Sequence, residues 1–168
     1  MTLHGNIILI GMPGAGKSTI GVLLAKRLGL DFLDTDLLIQ GGEHRLLQQL
    51  IREHGAQEFL DLEADYIQSL RAQRTVIATG GSAVYRQKSM QHLAALGLIV
   101  FLDIGHSALT RRLADLDGRG VVRLPGQSIA TLYAERRPLY RRYAQMTIDT
   151  TRLSPEKVVQ AICERVGD

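Results

Sequence analysis

The stretch that most constrains this chain is Gly11-Met12-Pro13-Gly14-Ala15-Gly16-Lys17-Ser18, which follows the apolar run Ile7-Ile8-Leu9-Ile10 and precedes a helical pattern. Its spacing, Gly-x4-Gly-Lys-Ser, is that of a P-loop, and ordinary residue frequencies produce it by chance in about one chain of this size in a hundred. Between a strand and a helix, glycines let backbone N–H groups turn toward a polyphosphate, and the positive end of the helix dipole adds to that field. Gly14, Ala15, Gly16, Lys17, Ser18 and Thr19 are therefore the candidate nucleotide-binding residues. Lys17 is placed to reach the β/γ-phosphates, and the Ser18 hydroxyl to ligate Mg²⁺, which on a nucleotide takes few protein oxygens.

At 168 residues, 45% hydrophobic and 22% charged, the chain has the size and composition of one globular domain. Its single cysteine, Cys163, lies beside Ile162 in a helical pattern; it permits no internal disulfide and reads as a small core residue. The apolar runs are strand-sized and the N-terminus shows no signal-peptide pattern, so the expectation is a cytoplasmic protein without a membrane partner. The net charge of +3 accompanies the arginine pairs 111–112, 136–137 and 141–142. With 5% aromatic residues and no tryptophan there is no stacking platform, so nucleic acid is not expected as a partner; a small phosphorylated ligand accounts for the basicity, and several of these arginines are expected on solvated helix faces.

In chain order, Leu3–Ile10 predicts a buried strand and Lys17–Leu28 a helix stopped by Gly29. Asp34-Thr35-Asp36 predicts a short strand with two carboxylates on one side, suited to the metal and an acceptor group, with helix capping as the plainer alternative. Leu37–Leu70 predicts helices broken at Gly41-Gly42 and Gly55, with apolar stripes Leu46, Leu47, Leu50, Ile51 and Phe59, Leu62, Ile67, Leu70. Such an insert, residues 37–70, is a natural wall for an acceptor pocket. A strand at 76–78 ends in Thr79-Gly80-Gly81-Ser82, where backbone N–H groups can approach a ligand. Leu98–Leu102 predicts a further strand; Asp103 after it reads as a turn or cap residue for the helix at 107–113 rather than as a Walker-B ligand. Residues 115–127, with Arg119, Arg123 and no apolar period, predict a mobile lid. A helix over 128–143, a short strand at 146–149 and a helix opened by Ser154-Pro155-Glu156 complete the chain.

This order of motifs resembles the shikimate kinase family over essentially the whole chain. The family pattern runs from a P-loop to Asp-x-Asp, a Gly-Glu-x-x-Phe-Arg-x-x-Glu helix, a Gly-Gly-Gly turn, a lid with Arg-Pro-Leu, and an Arg-x-Pro-Leu-Tyr helix. Asp34-Thr35-Asp36 and Arg136-Arg137-Pro138-Leu139-Tyr140 match it well. The resemblance implies a three-layer α/β/α P-loop fold of the nucleoside-monophosphate-kinase type, with a five-stranded parallel sheet in the order 2-3-1-4-5. It implies an ATP- and Mg²⁺-dependent kinase, expected as a monomer, in which Asp34 helps hold the metal through water and Asp36 grips and activates the acceptor hydroxyl. Gly80 and Gly81 would contact the acceptor, Arg136 its carboxylate, Arg112 and Pro155 the adenine, and Arg123 of the lid the transferring phosphate.

Four positions depart from the pattern. Leu60 stands where the family has its motif arginine, Ala56 where it has the glutamate, and Ser82 where it has the third turn glycine. The lid reads Arg123-Leu124-Pro125, leaving either Arg119 or Arg123 as the clamping residue. An arginine restored at position 60 is expected to improve shikimate turnover, from ~1.5 to 3 kcal/mol for a charged hydrogen bond. The acceptor is shikimate or another small polyol, sugar acid or hydroxy acid. A catalytically weak ATP-binding regulatory protein is the alternative of another class, and a nucleoside monophosphate kinase a third reading.

Overall fold

Every residue of β1, Asn6–Ile10, is buried, as an uninterrupted Ile/Leu run requires when a strand is covered on both faces. In the computed structural model, which describes residues 5–114 and 126–167, β1 is followed by α1 (Lys17–Leu28), β2 (Asp31–Asp34), α2 (Thr35–Glu43), α3 (Leu47–Ser69), β3 (Thr75–Ala78), α4 (Gln87–Leu96), β4 (Gly97–Asp103), α5 (His106–Ala114), α6 (Ile129–Tyr143), β5 (Met146–Asp149) and α7 (Pro155–Val166). The strands form one parallel sheet in the order β2-β3-β1-β4-β5, the centre of a three-layer α/β/α fold. One side chain aligns the lower edge: Asn6 accepts from the N–H of Thr75 at 3.0 Å and donates to the carbonyls of Ala72 and Leu96 at 2.8 and 3.0 Å.

The chain leaves β1 toward β2 on one side and later crosses to β4 on the other. The carboxyl end of β1, where the P-loop begins, is thus the crevice in which open α/β sheets take ligands. A main core of β1, β3 and β4 with α1, α4 and α7 includes the buried Cys163. A second, smaller cluster of Ile39, Leu47, Leu50, Phe59 and Leu60 holds α2 to α3. This is why the segment over 37–70 has its own apolar centre instead of lying on the sheet.

Several local expectations change. The pair Gly41-Gly42 does not interrupt α2, which runs on to Glu43: a Cβ on Gly42 would sit 2.0 Å from the Tyr66 hydroxyl, so this glycine serves close helix packing and not a turn. The turn comes instead at His44, in the left-handed conformation. Gly55 does break α3, with φ 81° and ψ 168°. The buried face of the second half of α3 is Phe59, Leu60, Glu63, Ala64 and Ile67; Leu46 is exposed and Leu62 only half-buried. Asp103 ends β4 and faces the arginines of α6. Its carboxylate is taken by Arg137 through two hydrogen bonds of 2.9 Å and by Arg141 at 3.2 Å.

Candidate functional site

The P-loop joins β1 to α1, and Gly14 and Gly16 hold φ of 81° and 90°, a conformation that side-chain-bearing residues rarely adopt. Gly16 is the residue just before α1, and no side chain caps that helix, so its first N–H groups remain directed at the loop. Lys17 is buried against the loop and donates to the carbonyls of Gly11 and Met12 at 2.8 and 2.9 Å. Burial pushes its ammonium down to about 8, against the attraction of Asp36, while Arg136 pushes the same way as burial. On the other side of the loop a cavity of about 310 Å³ is lined by Gly14, Ala15, Gly16, Thr19, Arg112 and Pro155 among others. Arg112, from α5, donates to the carbonyls of Gly14 and Ala15 at 3.4 Å and fixes this wall to the loop.

Ser18 and Asp34 meet directly: the Ser18 hydroxyl donates to Asp34 Oδ2 at 2.5 Å. The other oxygen of Asp34 accepts from the N–H groups of Asp36 and Leu37 at 2.9 and 3.4 Å, so Asp34 is the cap of α2. The expectation that both carboxylates share one side of an extended chain is thereby corrected. Only Asp34 is in the strand, and Asp36 lies in the first helical turn. A hydroxyl and a carboxylate oxygen beside a phosphate-binding loop are a suitable donor set for nucleotide-bound Mg²⁺, which completes its shell with phosphate and water.

Asp36 points to the far side of the cleft, at the turn after β3. A Cβ on Gly80 would lie 2.7 Å from Asp36 Oδ1 and 2.5 Å from Glu63 Oε1, so two carboxylates converge on this backbone and leave room only for glycine. The turn is tied down: the N–H of Gly80 donates to buried Thr35 Oγ1 at 3.1 Å, and the hydroxyl of Tyr140 donates to the carbonyl of Gly81 at 2.6 Å. A Cβ on Gly81 would sit 2.8 Å from Pro13 of the P-loop and 3.1 Å from an Arg136 terminal nitrogen. Gly80-Gly81 therefore brings Asp36, Arg136 and the phosphate loop to one place. Ser82 has φ −86°, so the third turn position makes no demand for glycine.

Burial raises Asp36 to about 6, helped by the charge of Asp34 and opposed by Lys17. Glu63 is raised to about 7 by complete burial; the Ser82 hydrogen bond opposes this, the charge of Asp36 adds to it, and Arg136 and Lys17 oppose it. Glu63 was not among the candidate residues. Its Oε2 accepts from the Ser82 hydroxyl at 2.7 Å, while Oε1 has no hydrogen-bond partner among the described residues. Two signals were available: Glu63 falls on the closing glutamate of the Gly-Glu-x-x-Phe-Arg-x-x-Glu pattern, and it is a carboxylate four residues after Phe59 and four before Ile67, a core position on a helix. Tyr85 is the second residue missed. Its hydroxyl accepts from Arg136 Nε at 3.0 Å, and Arg136 is 1% exposed. Leu60 is 5% exposed and belongs to the small apolar cluster of α2 and α3. Arg119 and Arg123 lie outside the described residues.

The chain matches the family model described as Shikimate kinase over residues 13–167. It is 36% identical over 160 residues to a shikimate kinase of Thermodesulfovibrio yellowstonii, with 94% of this chain and 92% of the relative covered. It is 37% identical over 162 residues to one of Mycobacterium bovis, with 95% and 92% covered. Among solved structures, the Acinetobacter baumannii shikimate kinase in complex with shikimate superposes with a TM-score of 0.88 at 29% identity, over 98% of this chain and 94% of that one.

Proposed function

Since the chain belongs to the shikimate kinase family, we infer that it transfers the γ-phosphoryl group of ATP to a hydroxyl of shikimate. The observation that carries this reading is the Gly80-Gly81 turn, where Asp36, Arg136 and Pro13 of the P-loop are within contact of two consecutive residues. A hydroxyl acid lying on this turn would have its carboxylate at Arg136 and a hydroxyl at Asp36, next to the phosphate loop.

Transfer of a phosphoryl group asks the protein mainly for position and for compensation of charge. Gly14 to Thr19 cradle the phosphates, and Lys17 moves its ammonium from the Gly11 and Met12 carbonyls onto phosphate oxygen. Arg112 and Pro155 border the adenine. Ser18, and Asp34 through water, would hold Mg²⁺, which would supply positive charge to the phosphates. Asp36, ionised above about pH 6, orients the attacking hydroxyl and accepts its proton. Arg123, with Arg119 as its alternative, adds charge from a lid over 115–127, and the segment 37–70 is the acceptor-binding part of a single kinase domain. The protein works as a monomer in the cytoplasm, on a small-molecule acceptor and not on nucleic acid or membrane.

The test is ADP release measured with shikimate, quinate, gluconate, inositols, homoserine and nucleoside monophosphates, with the phosphorylated product identified by NMR. Shikimate is expected to give a kcat/KM at least tenfold above the others. A higher value for any other acceptor overturns the assignment.

A further inference from the structure

Leu60 leaves the acceptor end one arginine short of the family pattern, and its surroundings show what has been put there. The half-buried Tyr85 packs against the cluster of Ile39, Leu47, Leu50, Phe59 and Leu60. Its other side meets Arg136: the guanidinium carbon stands 4.9 Å from the ring centroid, and Nε donates to the phenolic oxygen at 3.0 Å. The Tyr85 hydroxyl donates in turn to Glu135, whose second oxygen accepts from Gln127 at 3.1 Å. Ring, hydroxyl and carboxylate together form a bracket between the apolar cluster and the acceptor arginine.

A guanidinium binds a carboxylate through a pair of parallel N–H groups, and which edge it presents depends on what the other nitrogens hold. Here Nε is taken by Tyr85, the ring lies against the guanidinium, the guanidinium also hydrogen-bonds the buried Tyr140 hydroxyl, and a terminal nitrogen is at Gly81. We propose that Tyr85 is a positioning residue for the acceptor: it turns the terminal edge of Arg136 toward the Gly81 turn and fills the room that a side chain reaching from position 60 would need, so that Leu60 and Tyr85 work as a matched pair. This rests on shikimate, or another carboxylate-bearing acceptor, being the substrate. It also changes the expectation for position 60. Because Leu60 is buried and Tyr85 stands between its cluster and Arg136, Leu60→Arg alone gains nothing.

Steady-state kinetics of four variants test the pairing, with thermal melting and the KM for ATP as folding controls. Tyr85→Phe keeps the ring and removes the hydroxyl; its KM for shikimate is expected to rise about tenfold, with kcat and the KM for ATP within twofold of wild type. Leu60→Arg alone leaves the shikimate KM unimproved, and Tyr85→Ala raises it further than Tyr85→Phe. Adding Leu60→Arg to Tyr85→Ala brings it back to within about threefold of wild type. An unchanged KM in Tyr85→Phe overturns the proposal, and so does a gain from Leu60→Arg that is the same with and without Tyr85. Wild-type protein that phosphorylates only acceptors lacking a carboxylate overturns the functional reading itself, which separates the two failures.

Discussion

The two ends of the cleft are built over different distances along the chain. At the phosphate end, Lys17 finds its partners five and six residues back, and Ser18 finds Asp34 sixteen residues ahead. At the acceptor end the separations are 19 for Ser82 with Glu63, 45 for Gly80 with Thr35, 51 for Arg136 with Tyr85 and 59 for Tyr140 with Gly81. The burial differs as well: Ser18 and Thr19 are exposed, whereas Glu63 and Arg136 are each 1% exposed. A phosphate loop needs only backbone geometry and one lysine, so its chemistry fits in eight consecutive residues. An acceptor pocket must enclose a particular shape, and the residues proposed for it come from α2, α3, the turn after β3, and α6.

The largest effect is expected at Lys17. Lys17→Met is expected to lower kcat by about 10³-fold or more, because a preorganised charge on the transferring group is lost while the backbone cradle remains. Its melting temperature should stay close to that of the parent protein; turnover unaffected by the change would show that the loop does not handle phosphate. Next in size is Asp36→Asn, which acts across the boundary between the two ends. A drop in kcat of about 10² to 10⁴ is expected with little change in the KM for ATP. Collapse of nucleotide binding with turnover preserved at saturating ATP would mean that Asp34 and Asp36 divide their duties differently.

Glu63 sharpens the contrast through pH. Its folded value, about 7, lies above the ordinary 4.5, with Asp36, Arg136, Lys17 and Ser82 as the groups that face it. The unfolded chain therefore releases this proton first, and the contribution of Glu63 to stability is complete below pH 4.5 and lost as pH rises through about 7. Denaturant titrations of Glu63→Gln should show less loss of stability between pH 5 and 8 than the parent. Parallel curves for the two proteins would mean that Glu63 is not the group responsible. The smallest effect is expected from Ser82→Ala, which removes a buried partner of this carboxyl and should cost roughly 1 to 2 kcal/mol of stability. Catalytic constants that fall much further than stability would move Ser82 from support into contact with the acceptor.

The same difference in distance explains what could be read before the structure. The bounds of α1, the cap of α7 and the loop residues follow from signals local to each segment, a glycine stop, a Ser-Pro-Glu start and an apolar run, whereas the strand order came only with the family resemblance. Asp34 and Asp36 were legible as a pair, and capping was the plainer alternative that Asp34 fulfils; Asp36 was misplaced because period-2 geometry was carried two residues past the end of β2. Tyr85 carried no signal at all. It sits in an Ala-Val-Tyr turn, and its partners lie on α6 and in the cluster between α2 and α3. Leu60 was recognisable as a departure, yet only its burial shows that the position now belongs to an apolar core.

Carboxylate binding by one arginine, Arg136, beside Asp36 is the property proposed for the buried end of the cleft. Its most direct measurement is kcat/KM of the unmodified protein for shikimate against shikimate methyl ester, which keeps every hydroxyl and removes the charge. A charged hydrogen bond of ~1.5 to 3 kcal/mol predicts a preference of about 10- to 150-fold for the free acid. Equal values for acid and ester would contradict the account, since no group at that end would then be reading the carboxylate.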